Sequence, residues 1–576
     1  MVPPILLGFR RAVTPRGEGC NVIQRVVIPV FATAALVMAA CGPQQATPAA
    51  SAAASAGASA AVPAQQTPVP GGELVYIVTA EPPTFDAHQS TTFATLQPVS
   101  PHYSVLYKLD PAENVSKIIP DVADGMPQIS ADKLTWTIKL RQDVKFHDGT
   151  QLTSEDIKAT YDKIISPPKE VVSPRQGAYA SVDKVEATDK FTVTFKLKYA
   201  TGSFLAALAS PWNYIYSAAK LKQDIKFYEK NVMGTGPFTF VEYQKGSFWA
   251  GKKNPDYFIK GKPYLDSFKA VFITDVNRQT TAIQSEQAMI EFRGFTPQQR
   301  QQLSSALGNK LAIQESPWVC VNYISYNTTK KPFDDVRVRQ ALNLAIDRWA
   351  GSEALSKQTI VKDVGGLMRP KGPFAMSDTD LEKIQGFSRD GKASKEQAKK
   401  LLADAGFTAD KPLTFKFLNR NVTTPYEPVA LFLIDQWKQV GITATHDVKE
   451  TAAYTADLRN KNFDVGLDFN CDYFDEPDLQ LAKFYSASGL GKGLNLSHYD
   501  DPQLDKMIDA QSRETDVAKR QTLLKDIEKY AMETKAYMQP VLWWYRILPY
   551  NAKVRGYVIG SNHYTTMDMA NIWLAK

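Results

Sequence analysis

The 576-residue chain is poor in histidine and cysteine, on which metal binding and nucleophilic catalysis draw. It has six histidines, and no two stand at the spacing that would place them on one metal. The His-Glu-x-x-His helix of zinc proteases and the Gly-x-Ser-x-Gly turn of serine hydrolases are both absent. Gly489-Leu490-Gly491-Lys492-Gly493 lacks the glycine five residues before Gly491 and the Ser or Thr after Lys492 that a phosphate loop needs. Phe146-His147-Asp148-Gly149 is read as a tight turn, with Asp148-Gly149 reversing the chain, and not as a catalytic pair. Long basic runs are missing too, which argues against a nucleic-acid partner. No catalytic residue, metal site or cofactor is expected.

Charge is absent altogether from Gly42 to Gly72, a stretch made almost entirely of Ala, Ser, Pro, Gln, Thr and Gly. With no aromatic residue, and Val62 and Val69 as its large aliphatics, it cannot build a core. Its length corresponds to a flexible tether spanning about 30 Å. Before it, Arg10, Arg11, Arg16 and Arg25 precede the uncharged segment Val26–Ala40. Fifteen residues fall short of the roughly 20 that a membrane-spanning helix needs, so the pattern reads as an export signal. The junction Leu36-Val37-Met38-Ala39-Ala40-Cys41-Gly42 resembles a bacterial lipoprotein cleavage box. That resemblance implies a mature chain starting at a lipid-modified Cys41, extracytoplasmic, held at the cell membrane in the periplasmic space or at the cell surface.

Loss of residues 1–40 removes four arginines and Glu18, so the net charge falls from +7 to +4. The remaining composition, 44% hydrophobic and 22% charged over the whole chain, is that of a globular protein. About 500 folded residues exceed what one core serves, and two or three domains are expected. Besides Cys41, the mature chain keeps Cys320 and Cys471, an even pair in a compartment where a disulfide persists.

Period-two alternation marks strands at 134–141 and 191–197. Helices are predicted after Ser154 to about Ile165, and after Asp334-Asp335 with Val338, Leu342, Ala345 and Ile346 on one stripe. Others run from Ser394 to Gly406, with Ser394 and Gln397 as a capping box, and from Val429 to Val440, closed by Gly441. A strand follows over 442–448. Gly149 and Gly236 suit turns with positive φ, and Arg337 and Arg339 are expected to pair with carboxylates of a neighbouring element. The class is α/β.

Four blocks together resemble the solute-binding proteins of peptide-type ABC transporters, family 5. They are Leu140 to Ile157, containing Phe146-His147-Asp148-Gly149-Thr150; Gly234-Thr235-Gly236-Pro237-Phe238 with Asn254-Pro255-Asp256-Tyr257-Phe258; Pro332-Phe333-Asp334-Asp335-Val336-Arg337 with Ala345-Ile346-Asp347-Arg348; and Ala398-Lys399-Lys400-Leu401-Leu402 with Ala405-Gly406-Phe407. Their order and spacing match the family from about residue 72 onward. The resemblance implies a two-lobed clamp of the periplasmic-binding-protein type. Its lobe I comprises 72–108, 212–318 and 540–576, with an extra subdomain at 109–211. Lobe II is 319–539, reached through a hinge of two chain crossings. It further implies a Cys320–Cys471 disulfide.

The family's peptide binders usually carry Trp-x-x-Asp-x-x-Asp/Glu-Pro, the first aspartate holding the peptide ammonium. Here the run is Asn470-Cys471-Asp472-Tyr473-Phe474-Asp475-Glu476-Pro477, with Asn470 in place of Trp and Tyr473 in place of the aspartate. Asp472 comes one residue early, which in an extended segment turns a side chain to the other face unless a bulge restores it. Asp472 and Asp475 therefore read either as ligand contacts or as hinge-side structure. Trp543-Trp544-Tyr545-Arg546 reads either as a core strand or as a cleft wall that stacks on a ligand, with Arg546 meeting a carboxylate.

The expected function is capture of a solute, foremost a short peptide, for an ABC permease, by a clamp acting as a monomer. The rival ligands are an oligosaccharide, an opine-like conjugate or a metal chelate. A lipid-anchored secreted hydrolase would need a nucleophile–base pair that the sequence does not offer, and a surface adhesion module would need a protein partner.

Overall fold

The computed structural model describes residues 67–112, 117–564 and 567–576. Residues 1–66, and with them the signal segment, Cys41 and most of the tether, lie outside the described residues. Among the described residues no helix is long and apolar enough to cross a membrane.

Three sheets carry the architecture. A five-stranded sheet orders Ile290–Glu291, Glu73–Val78, Ser267–Phe272, Phe248–Lys253 and Phe238–Gln244. A four-stranded antiparallel sheet joins Gln128–Ile129, Thr135–Lys139, Thr192–Leu197 and Val182–Asp189. The third, six-stranded, runs Val361–Asp363, Met538–Asn551, Leu311–Tyr326, Val465–Cys471, Thr414–Arg420 and Thr443–Lys449.

Two main apolar cores result. The first joins the five- and four-stranded sheets, from Leu74, Tyr76 and Phe268 to Ile138, Val193 and Phe195. The second lies around the six-stranded sheet, with Val321, Leu342, Phe417, Trp437, Trp543 and Trp544. The strands Leu311–Tyr326 and Met538–Asn551 pair antiparallel along their length and belong to both. Ala312, Leu548 and Tyr550 pack on the first core, while Ile324, Tyr326 and Met538 pack in the second. Their register breaks between Pro317 and Val321 and again before Tyr323, where a bend is easiest.

Local chemistry sets the helix ends. Ser154–Ile165 starts in a capping box of Thr153 with Asp156. Val336–Leu344 is capped by Asp335, whose carboxylate also pairs with Arg337, and Tyr426–Lys438 ends before Gly441 at φ 86°. Three expectations are corrected. The helix Gly391–Asp404 is capped by Asp390 rather than Ser394, which lies inside it. Gly236 is needed for close approach, not positive φ: a Cβ there would stand 2.4 Å from the His102 carbonyl carbon. Arg339 donates to the carbonyls of Phe333, Asp334, Lys535 and Ala536, and Arg337 pairs with the cap of its own helix. Neither uses a carboxylate of a neighbouring element.

Candidate functional site

A cavity of about 400 Å³ opens between the segment 174–212, around the four-stranded sheet, and the segment 470–513, which begins at the C-terminal end of Val465–Cys471, an inner strand of the six-stranded sheet. That volume falls within the range of small-ligand sites. One wall presents Arg175, Tyr199 and Trp212; the other presents Asn470, Asp472, Tyr473, Lys483 and Tyr485. The walls are in contact. Tyr473, Phe474 and Leu479 pack on the first core although their neighbours in sequence belong to the second. The Gly202 amide donates to the Ser512 carbonyl at 3.3 Å.

Asp472 owes its position to the strand before it. Val465–Cys471 ends at the cysteine, whose register partner on Leu311–Tyr326 is Cys320, and the two are joined as a disulfide. One residue on, the Asp472 amide donates to the Val319 carbonyl at 2.9 Å. Because the strand has ended, alternation no longer governs 472 and 473, and both line the cavity without a bulge. Asn470 Nδ2 donates to Asp472 Oδ2 at 2.8 Å and to Gln480 Oε1 at 3.0 Å, so the residue standing where Trp was expected orients the carboxylate. Burial pushes the Asp472 carboxyl up to about 7, against the Asn470 hydrogen bond and the charge of Lys483.

Glu476, Asp478 and Lys483 on this wall are engaged. Glu476 pairs with Arg520, which also reaches Asp478 at 3.3 Å. Burial pushes the Glu476 carboxyl up to about 7 even so, with Arg520 pulling it down. Lys483 pairs with Asp468 at 2.5 Å and donates to the Phe469 carbonyl at 2.6 Å. On the opposite wall, Arg175 donates to the carbonyls of His88 and Ser90 and stacks 4.1 Å from the Trp212 ring centroid. Burial draws its guanidinium down to about 10. Sequence reading missed Arg175, Trp212, Tyr199 and Tyr485, because nothing in Ser173-Pro174-Arg175-Gln176-Gly177 or around Trp212 carries a periodic or motif signal.

Residues 117–492, more than half of the chain, match the model of the bacterial extracellular solute-binding proteins, family 5 middle. The chain belongs to this family. It is 27% identical over 540 residues to the oligopeptide-binding protein AppA of Bacillus subtilis, covering 88% of this chain and 93% of that one. To the glutathione-binding protein GsiB of Pectobacterium atrosepticum it is 30% identical over 435 residues, covering 74% and 80%. Among solved structures, the periplasmic binding protein DppA of Helicobacter pylori, in complex with the peptide STSA, superposes with a TM-score of 0.74 at 22% identity, covering 88% and 99%. The fold is that of the two-lobed periplasmic binding proteins, and members of the family bind solutes rather than transform them.

In this family member several expected contacts are absent from the cleft. Asp475 does not line the cavity: its carboxylate is clamped by Arg369, from Nε at 2.7 Å and Nη2 at 2.6 Å, both side chains being buried. Trp543 Nε1 donates to the Gly366 carbonyl at 3.1 Å and Trp544 Nε1 to Asn322 Oδ1 at 2.7 Å, inside the second core. Arg546 is fully buried and spends its donors on the carbonyls of Phe292, Arg293, Gly560 and Asn562. These three are therefore core residues of Met538–Asn551, a strand buried on both faces, and not a cleft wall.

Proposed function

We propose that the protein is the solute-capturing component of an ABC importer and that its solute is a short peptide. The observation that carries this reading is Asp472, a cavity carboxylate oriented by Asn470 and left without a cationic partner among the described residues. A carboxylate so placed suits a ligand ammonium group. The names of the relatives support a peptide as cargo: one is an oligopeptide-binding protein and another a glutathione-binding protein. Capture proceeds by closure of the two walls about the paired strands Leu311–Tyr326 and Met538–Asn551, whose irregular register supplies the bend. Delivery is to a membrane permease.

Cys41 as a lipid-bearing N-terminus and 41–71 as tether complete the proposal, supported by the cleavage-box sequence and the uncharged stretch after it. A tether of about 30 Å keeps the clamp at high local concentration beside its permease. Native mass spectrometry of the freshly purified protein tests the cargo: co-purifying masses of short peptides are expected, and a uniform sugar or chelate mass would overturn the peptide reading. A peptide at 100 times its dissociation constant should add about 2.7 kcal/mol of stability in a thermal-shift screen.

A further inference from the structure

The cavity is lined by seven charged side chains that fall into two groups. Five are engaged or wet. Glu476 and Asp478 share Arg520, Lys483 is held by Asp468, and Asp509 accepts from the Tyr485 hydroxyl at 2.9 Å. Arg513 is exposed at the mouth, over Tyr199 at 4.6 Å. Two remain. Asp472 has no cation within ion-pair distance and Arg175 no carboxylate, among the described residues. They sit on opposite walls of one cavity, and each acts electrostatically on the hydroxyls of both Tyr473 and Tyr564.

We propose that Arg175 is the carboxylate anchor of the cleft, so that a short zwitterionic ligand bridges Arg175 on one wall and Asp472 on the other and is itself the strut that holds the clamp shut. This rests on the peptide reading above and deepens it. Two donors of the Arg175 fork are fixed on His88 and Ser90, and the plane is fixed by Trp212. The guanidinium is thus pre-organised, with N–H groups to spare for a carboxylate. The walls, in contact as they are, hold both charges away from bulk water, and an unpaired buried charge is costly. A ligand that carries an ammonium and a carboxylate offsets both costs at once. One that lacks either end leaves a charge buried and unpaired, so the site discriminates by penalty as much as by attraction. The cavity of about 400 Å³ adds a length limit, because the two ends must lie within a single small pocket.

The test measures binding of the purified protein to a mixed di- and tripeptide library in three forms: free ends, N-acetylated, and C-terminally amidated. Wild-type protein is expected to bind the free-ended form at least about tenfold more tightly than either blocked form. In Arg175→Gln the preference for free acid over amide should fall to near one while the preference for free amine persists. Arg175→Lys, which keeps the charge but loses the fork, should retain part of it, and a thermal midpoint for each variant separates lost binding from lost folding. Asp472→Asn should do the converse, losing only discrimination at the amine. Equal binding of acid and amide by the wild type, or undiminished acid preference in a folded Arg175→Gln, would overturn the strut while leaving the peptide reading intact. Binding of no form would overturn both.

Discussion

If Asp472 receives a ligand ammonium group, affinity must depend on pH, and the structure fixes the direction. In the unliganded protein burial raises this carboxyl to about 7, with Asp475 pushing the same way and Lys483 and the Asn470 hydrogen bond opposing. A cation against the carboxylate favours its ionised form, so binding expels a proton wherever the free group still holds one. Below pH 7 each unit of acidification should then weaken binding about tenfold, and affinity at pH 6 should lie roughly tenfold below that at pH 8. On the alkaline side the ligand's own α-amine, with an ordinary pKa of about 7.7–8.0, begins to lose its proton. The profile should be a bell with its summit between about 7 and 8.

Titration calorimetry in two buffers of different ionisation enthalpy reads this directly, since the difference counts protons released. The expectation is release approaching one proton near pH 6 and little at pH 8. Glu476 titrates in the same range, although its pairing with Arg520 sets it apart from the ligand. Asp472→Asn distinguishes the two, because it should flatten the acid limb and abolish proton release. Affinity that is flat between pH 5.5 and 7.5, or an acid limb that survives in Asp472→Asn, would refute the assignment.

Other consequences concern the frame. Replacing Cys320 and Cys471 together by serine opens a loop of 151 residues, for which chain entropy suggests about 5 kcal/mol. Calorimetry should show a clear drop in Tm, and an unchanged Tm would mean that the bond is not formed. Asp475→Ala leaves Arg369 buried without its partner and should cost about 3–5 kcal/mol of stability while leaving ligand selectivity unaltered; a change in amine discrimination instead would return Asp475 to the site. Gly202→Val places a Cβ 3.0 Å from Arg520 Nη1 and 3.1 Å from the Glu514 carbonyl oxygen, both across the cleft. It should weaken ligand binding several-fold and, by crowding the Arg520 that holds Glu476, lower Tm as well, and unaltered affinity would mean that this contact plays no part in holding the two walls together. Glu528, fully buried and pushed up to about 7, holds its proton natively through a range where the unfolded chain has lost it. Relative to Glu528→Gln, ligand-free wild-type stability should therefore fall as pH rises from about 4.5 to 7, and a rise of that difference in chemical denaturation would contradict it; the comparison is needed because the buried His88 and His102, drawn down to about 3, push absolute stability the other way.

What the sequence made legible follows from which surfaces are wet. Thr135–Lys139 and Thr192–Leu197 alternate because one face of their sheet meets solvent, so period two survives in the letters. Leu311–Tyr326 and Met538–Asn551, the strands that join the cores, are buried over nearly their whole second halves or lengths. Burial on both faces erases alternation, and Trp543-Trp544-Tyr545-Arg546 then offered aromatic and cationic groups with no sign of which way they faced. Arg546 looked available for a ligand because none of the four carbonyls that occupy it lies in its own strand: two come from 292–293 and two from 560–562. The cleft divides in the same manner. Asp472 and Tyr473 drew notice through their departure from a linear pattern, and the end of the strand at Cys471 decides their orientation. Arg175 and Trp212 belong to no pattern. They become a site because the start of the short 3₁₀ helix Gln176–Tyr179 and the turn at Trp212 meet beneath a wall contributed by residues some 300 positions further along the chain. A ligand that touches both walls reads a surface that exists only when they close, and that surface has no counterpart in any contiguous stretch of sequence.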